Sequence, residues 1–213
     1  MESTIVLPGE KIFFKDLSSV INSTDLETAY RETRFQPNIK NSISKDLHVF
    51  DTFSYLGNLK KTCEEISTNF LKTCYYPDFE ELIVTTSWFN NTTKEQQHHR
   101  HSHPFSVLSG IIYLDDNPEN LNLNIFRKGP DIPYVEKGGV ERFGLDMILS
   151  MNQTIPTNNL KNHLVLFLSS TNHDVSKVIN EKKARRSLAF NTFFKGTVGM
   201  RSNPLGSINY NIS

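Results

Sequence analysis

Cysteine is nearly absent from this chain, which carries 2 in 213 residues. Two thiols are too few for a disulfide framework. Cys63 and Cys74 also fall in one apparent helix, where eleven positions separate them by about 16 Å along the axis and leave no geometry for a bridge. They are expected as reduced core residues, as in a cytosolic protein. Net charge is absent too: Lys+Arg and Asp+Glu both number 23. That balance argues against a chain that lives on nucleic-acid phosphates, although a local basic patch would be compatible with it. There is no apolar run of membrane-spanning length and no basic-then-apolar leader, so neither a membrane span nor secretion is expected. No repeat and no low-complexity tract is visible. Hydrophobic residues make up a low 37%, yet 15 Phe and 7 Tyr supply large surfaces for a core.

What is present is pattern. Leu56, Leu59, Cys63, Ile66, Phe70 and Cys74 recur at steps of three and four, one face of a helix lying on something apolar. Lys60, Lys61, Glu64, Glu65 and Lys72 fall mostly on its other faces, and Tyr75-Tyr76-Pro77 ends it. The period then changes to that of a strand from Leu82 to Asn90, with a turn expected over Asn90 to Lys94. Val107 to Leu114 reads as a strand buried on both faces, with Leu108, Ile112 and Leu114 on one side and Ile111 and Tyr113 on the other. Further strand candidates are Leu121 to Phe126, Met147 to Met151, Leu164 to Leu168 and Arg185 to Phe194. The long loop between Asp116 and Gly144, with Gly129-Pro130, Pro133 and Gly138-Gly139, is a lid candidate. Residues 1–51 are mixed in pattern, with a short strand at Ile12 to Phe14, a helical turn at Leu17 to Ile21 and an exposed connection from Pro37 to Lys45. Nothing there carries chemistry.

The pattern predicts a mainly β fold with N-terminal helices, a sandwich or jelly roll. Its expected organisation is a single domain: a helical and mixed lead-in over 1–80 packed on the sheet, a core over 81–195, and an irregular tail over 196–213.

The chemistry concentrates in His98, His99, His101 and His103, which run straight into the Val107 strand. Neutral imidazole offers one lone pair at accessible pH and is the commonest metal ligand among side chains. Positions two apart on a strand share a face, so His101 and His103 make half of a metal site. His173, just past the apolar run Leu164 to Leu168 and the turn-prone Ser169-Ser170-Thr171-Asn172, is placed to complete it. The bland alternative is a solvated histidine loop that picks up metal adventitiously. If the strand runs unbroken past Pro104, Tyr113 faces the same side as His101 and His103. In the last strand Arg185, Ser187, Ala189 and Asn191 share one face, and Arg186, Leu188, Phe190 and Thr192 the other. An arginine followed by small residues on an inward face is a niche for a carboxylate, which guanidinium grips in a bidentate fork. A plain salt bridge of Arg185 at the strand start is the alternative.

Ser87-Trp88-Phe89-Asn90, His101-Ser102-His103-Pro104, Ser109-Gly110-Ile111-Ile112-Tyr113-Leu114, His173-Asp174-Val175 and Arg185-Arg186-Ser187-Leu188-Ala189-Phe190-Asn191 form an ordered series. The series resembles the 2-oxoglutarate- and Fe(II)-dependent oxygenase family found largely in phages and marine bacteria, over about Trp88 to Asn191. The resemblance implies a double-stranded β-helix (jelly roll) that binds Fe(II) with 2-oxoglutarate as cosubstrate. Carried over residue by residue, His101 and His173 would be metal ligands. Arg185, with Ser187 in the Arg-x-Ser start of the final motif, would hold the far carboxylate of 2-oxoglutarate. Tyr113 matches a tyrosine that in the wider superfamily hydrogen-bonds the same group. The implied activity is decarboxylation of 2-oxoglutarate to succinate coupled to hydroxylation of a small-molecule or peptide substrate, in the cytoplasm of the host cell if the chain is phage-encoded.

One departure matters. The superfamily's usual His-x-Asp or His-x-Glu is here His101-Ser102-His103, as in the family resembled, which leaves the site one negative charge short of a two-histidine, one-carboxylate triad. Either His103 stands in for the carboxylate, or the third position is water or another acid, with Asp174 and Asp115 as candidates. His99 with His101 is an alternative register. The competing functions are a three-histidine jelly-roll dioxygenase that does not use 2-oxoglutarate, and a metal-binding jelly roll without turnover.

Overall fold

The computed structural model describes residues 2–7, 10–116, 122–126, 153–178, 184–198 and 208–210. Two antiparallel sheets face each other. The larger contains, in spatial order, β1 (Glu2–Leu7), β2 (Glu10–Asp16), β10 (His163–Leu168), β7 (Leu108–Tyr113), β12 (Arg185–Phe194), β5 (Leu82–Thr92), β4 (Ser42–Ser44) and β3 (Phe35–Pro37). The smaller contains β6 (His98–His101), β11 (Asn172–Val175), β8 (Asn122–Phe126) and β9 (Gln153–Pro156). From β5 to β8, and again from β9 to β12, strands consecutive in sequence alternate between the sheets, and the fold is a double-stranded β-helix, as expected.

Side-chain alternation sorts two cores. In β10, Leu164 and Leu166 join the cluster under the helices, while Val165 and Phe167 point between the sheets. The strand β7 does the same, with Leu108 and Ile112 on the helical side and Ile111 and Tyr113 inside. The inner cluster is closed by Leu123, Ile125, Ile155 and Val175 from the small sheet. The helical side is covered by α1 (Ser23–Glu32), the single turn α2 (Val49–Thr52) and α3 (Gly57–Cys74). The three-four apolar face of α3 supplies Leu59, Cys63 and Phe70 to this core, and the Phe70 ring packs tilted against Phe13 of β2 with centroids 5.3 Å apart. Among the described residues no helix is long and apolar enough to cross a membrane.

Several expectations are corrected. The chain does not run as one strand past Pro104: β6 ends at His101 in the small sheet and β7 begins at Leu108 in the large one, with Phe105 between them at φ 56°. The pairing partners decide this, because His101 pairs with His173 whereas Leu108 pairs with Leu168. The expected turn at Asn90 to Lys94 starts later, since Asn91 and Thr92 still pair with Arg186 and Arg185. The expected strand at Ile12 to Phe14 lies inside β2, whereas Pro37 to Lys45, expected as an exposed connection, holds β4 with Asn41 and Ser44 buried; α1 is capped by the Asn22 side chain accepting from Thr24 N. Glu64, expected to face away, turns to β5 and accepts from Val84 N at 2.9 Å. The tail contains a two-stranded ribbon, β13 (Gly196–Val198) with β14 (Ile208–Tyr210). The Met147–Met151 strand, and the lid apart from Asp116 and β8, lie outside the described residues.

Gly110 shows how tightly the layers meet. It pairs with Phe190 across β7 and β12, and a Cβ at Gly110 would stand 2.2 Å from Cζ of that ring. The ring has no free side to retreat to, because it is fully buried and meets Phe50 edge-on at 5.9 Å. Gly110→Ala should therefore destabilise the fold by about 1–3 kcal/mol through overpacking. Chemical denaturation would read this as a lower midpoint at unchanged slope, and an unchanged midpoint would contradict the packing.

Candidate active site

Antiparallel pairing builds the centre. His101 of β6 lies directly across from His173 of β11, and their ring centroids are 4.4 Å apart. His103 is two residues beyond β6, where its backbone N donates to Ser169 O at 2.8 Å, in the turn that leads into β11. Its ring centroid is 4.9 Å from that of His101 and 5.2 Å from that of His173. One nitrogen from each of His101, His103 and His173 lies within 4.8 Å of the others, and among the described residues this is the one group able to hold a metal.

Each outer strand residue has a backbone partner that sets its tautomer. Nδ1 of His101 is 2.7 Å from His99 O and Nδ1 of His173 is 3.0 Å from Thr171 O. Carbonyls only accept, so both rings carry the proton on Nδ1 and keep the Nε2 lone pair for a metal. Burial lowers the pKa of all three rings, to about 4 for His103 and about 3 for His173, with the neighbouring imidazoles adding to the effect. Neutral imidazole, the ligating form, is thus the resting state near neutral pH.

The second feature is a buried cation. Arg185 opens β12 on its inner face and is 1% exposed. Its Nη2 approaches Tyr113 Oη at 3.5 Å and its guanidinium carbon lies 5.1 Å from the Tyr113 ring centre. Nε and Nη1 are buried with no partner, as are Asn90 Oδ1 and Thr92 Oγ1 nearby on β5. Among the described residues no carboxylate pairs with Arg185. A buried charge left uncompensated costs several kcal/mol, so the niche is complementary to an anion that the described residues do not supply. Ser187, two residues on along the same face, pairs with Tyr113 across the strands and its Oγ accepts from Asn90 Nδ2 at 3.3 Å.

Arg185 and the three histidines line one cavity of about 180 Å³, together with Ser187, Trp88 and Phe167. Tyr113 stands behind Arg185 and is not part of the lining. Arg186 shows the opposite parity: it forks onto Asp115 at 2.6 and 2.7 Å and reaches Glu27 of α1 at 2.8 Å. The two acids weighed for the third metal position are therefore committed elsewhere, Asp115 to Arg186 and Asp174 to Asn124 Nδ2 at 2.7 Å.

Sequence reasoning missed Asn38, Asn41 and Ile43, which come from the stretch assigned no chemistry. Asn38 and Ile43 line the cavity, and Asn41 is buried with its amide against Nε2 of His98. His98 and His99 also line it, and burial together with the charge of Arg185 holds His98 well below its usual pKa. Local sequence gave no signal for Asn41, because its burial depends on the β3–β4 edge folding over β6.

A family model described as "Putative 2OG-Fe(II) oxygenase" matches residues 86–191, about half of the chain, from within β5 into β12. None of the curated proteins matches the sequence. Among solved structures, the non-heme alpha-ketoglutarate-dependent carbocyclase SnoK from nogalamycin biosynthesis is similar at TM-score 0.62 and 12% identity, over 87% of this chain and 80% of that one. HygX from Streptomyces hygroscopicus, with nickel and 2-oxoglutarate bound, is similar at TM-score 0.54 and 12% identity, over 85% and 82%. A prolyl-4-hydroxylase from Pseudomonas putida is similar at TM-score 0.50 and 13% identity, over 86% and 93%. At such identities these likenesses establish the double-stranded β-helix alone. The family match goes further, because its span holds the three clustered histidines and the unpaired Arg185. Through residues 86–191 the chain belongs to the 2OG-Fe(II) oxygenase family and is an oxidoreductase whose cofactor and cosubstrate are Fe(II) and 2-oxoglutarate.

Proposed function

We propose that the chain is a dioxygenase that couples oxidation of 2-oxoglutarate to hydroxylation of a second, small-molecule or peptide substrate. In the balanced reaction, O2 gives one oxygen atom to succinate, formed with CO2 from 2-oxoglutarate, and the other to the hydroxylated product. His101, His103 and His173 are the metal ligands in this reading, and bound Fe(II) would supply the O2 chemistry that no side chain can. Arg185 holds the far carboxylate of 2-oxoglutarate, with Tyr113 beside the guanidinium and Ser187 on the same niche wall. Trp88 and Phe167 give the cavity an apolar boundary that keeps water from the charge pair, which strengthens it.

The observation that carries the reading is Arg185, a fully buried cation whose Nε and Nη1 have no partner among the described residues, in the same cavity as three metal-competent imidazoles. SnoN, a similar structure described as an alpha-ketoglutarate-dependent epimerase, is complexed with nogalamycin RO, and HygX with hygromycin B. Those ligands belong to those proteins, but they favour a small-molecule substrate here. The three-imidazole cluster without a carboxylate favours one competing reading, a dioxygenase that binds its organic substrate directly and uses no 2-oxoglutarate. Incubation with Fe(II), O2 and 2-oxoglutarate should release succinate, including slow uncoupled turnover without a second substrate. Failure to form succinate from metal-loaded protein, even with candidate substrates added, would favour the three-histidine alternative.

A further inference from the structure

His103 differs from its two companions. Among the described residues its Nδ1 faces no carbonyl; it meets the side-chain amide of Asn191, with Nδ2 at 3.5 Å. The other end of that amide, Oδ1, lies 2.8 Å from Ser109 Oγ. From there a row of hydroxyls, half-buried at Ser106, continues, Ser109 to Ser169 at 2.8 Å, Ser169 to Ser106 at 2.8 Å, and Ser106 to the backbone O of Thr192 at 3.2 Å and of Leu108 at 3.4 Å. The row ends on carbonyl oxygens, which can only accept.

Proton counting decides which way the amide points, because its oxygen and nitrogen exchange places by a half-turn. With Oδ1 towards Ser109, the three hydroxyl protons must serve four contacts, from Asn191 through the serines to Thr192 O. One contact of the row then has two oxygens and no hydrogen between them. In the same arrangement Nδ2 donates to His103 Nδ1, which forces the neutral ring to carry its proton on Nε2, where it blocks a metal. With the amide turned over, every contact is served. His103 Nδ1–H donates to Oδ1, Nδ2–H donates to Ser109, and the hydroxyl protons run in one direction through Ser169 and Ser106 to Thr192 O. The acceptor-only carbonyls at the Ser106 end fix that direction, and polar groups out of reach of bulk water are satisfied as a rule.

We infer that Asn191 is a positioning residue: its amide oxygen, oriented by the Ser109–Ser169–Ser106 row, holds His103 in the Nδ1–H tautomer and frees Nε2 as the third metal donor. This rests on the proposed ligand role of His103. It explains how a His-x-His motif completes a site that usually contains a carboxylate: the outer partner of the third ligand is a neutral amide tied to a hydroxyl relay, in place of a charged group in the first position.

The test is a long-range 1H–15N spectrum of the full chain labelled at histidine, metal-free and Zn(II)-loaded, with Zn(II) affinity measured by competition. Wild-type metal-free protein should show His103 protonated on Nδ1. Asn191→Leu should shift the proton to Nε2 and weaken Zn(II) binding about 10- to 100-fold, the usual effect of losing an outer partner of a ligand. Asn191→Asp, which keeps an acceptor oxygen, should restore both. A wild-type His103 protonated on Nε2 overturns the inference, and so does an Asn191→Leu protein with the wild-type tautomer and affinity. His103→Ala with undiminished Zn(II) affinity would instead remove His103 from the ligand set and leave the tautomer to decide by itself.

Discussion

In the Arg185→Leu variant, the 2-oxoglutarate concentration needed for half-maximal succinate formation rises by several hundred-fold or more, while Arg186→Leu leaves it near the wild-type value. The asymmetry follows from strand parity. Arg185 and Arg186 are neighbours in β12, yet one points into the cavity with two nitrogens unpartnered and the other is held outside by Asp115 and Glu27. Breaking a buried, hydrogen-bonded charge pair costs about 3–5 kcal/mol, which is a factor of a few hundred to a few thousand in affinity. Arg186 makes its fork with protein carboxylates, so its loss appears in the melting temperature. A second measurement sharpens the case. Leucine at position 185 removes a buried unpaired cation, so the ligand-free variant should be at least as stable as wild type, and 2-oxoglutarate should no longer raise its melting temperature. Sensitivity at Arg186 in place of Arg185 would refute the niche, and indifference at both would mean that the cosubstrate is not 2-oxoglutarate.

Strand parity was readable because it is local. Arg185 against Arg186 needed only a period of two, and Leu164 to Leu168 sort themselves by the same rule onto the two cores. The α3 face needed only a period of 3.6. The parity argument failed where the chain changes sheet. Counting through Pro104 puts Tyr113 with His101 and His103, but β6 and β7 belong to different sheets and no parity passes between them. Their association is real for another reason: β7 pairs with β12, which puts Tyr113 opposite Ser187 and beside Arg185. Long-range pairing also hid the hairpin of β3 and β4 and the buried Asn41, whose only distinguishing property is where the rest of the chain puts it. The helix α1 has a local start signal, Asn22 ahead of Ser23-Thr24-Asp25, but it buries only Leu26 and Ala29 and its apolar period is faint.

Metal content should fall sharply in His101→Ala and His173→Ala and stay near wild type in His98→Ala. A four-ligand structural zinc site binds with roughly 10–16 kcal/mol, so one ligand of such a set accounts for about 3 kcal/mol, two orders of magnitude or more in affinity. At micromolar metal that is the difference between a loaded and an empty protein after dialysis. His98 serves as the control because its Nε2 is already engaged with Asn41 and it stands outside the group of three. His173 is the most informative position. It is 4% exposed, packs against Phe167 at 4.7 Å and sits across from His101, so it belongs to the wall as well as to the site. His173→Gln keeps most of that volume and separates lost ligation from lost packing: both variants should lose metal, and only the alanine should also lose appreciable stability in the metal-free state. Iron or zinc per chain, measured by elemental analysis after dialysis against a weak chelator, reads the outcome. Wild-type metal content in folded His173→Gln would leave the three-histidine centre without support.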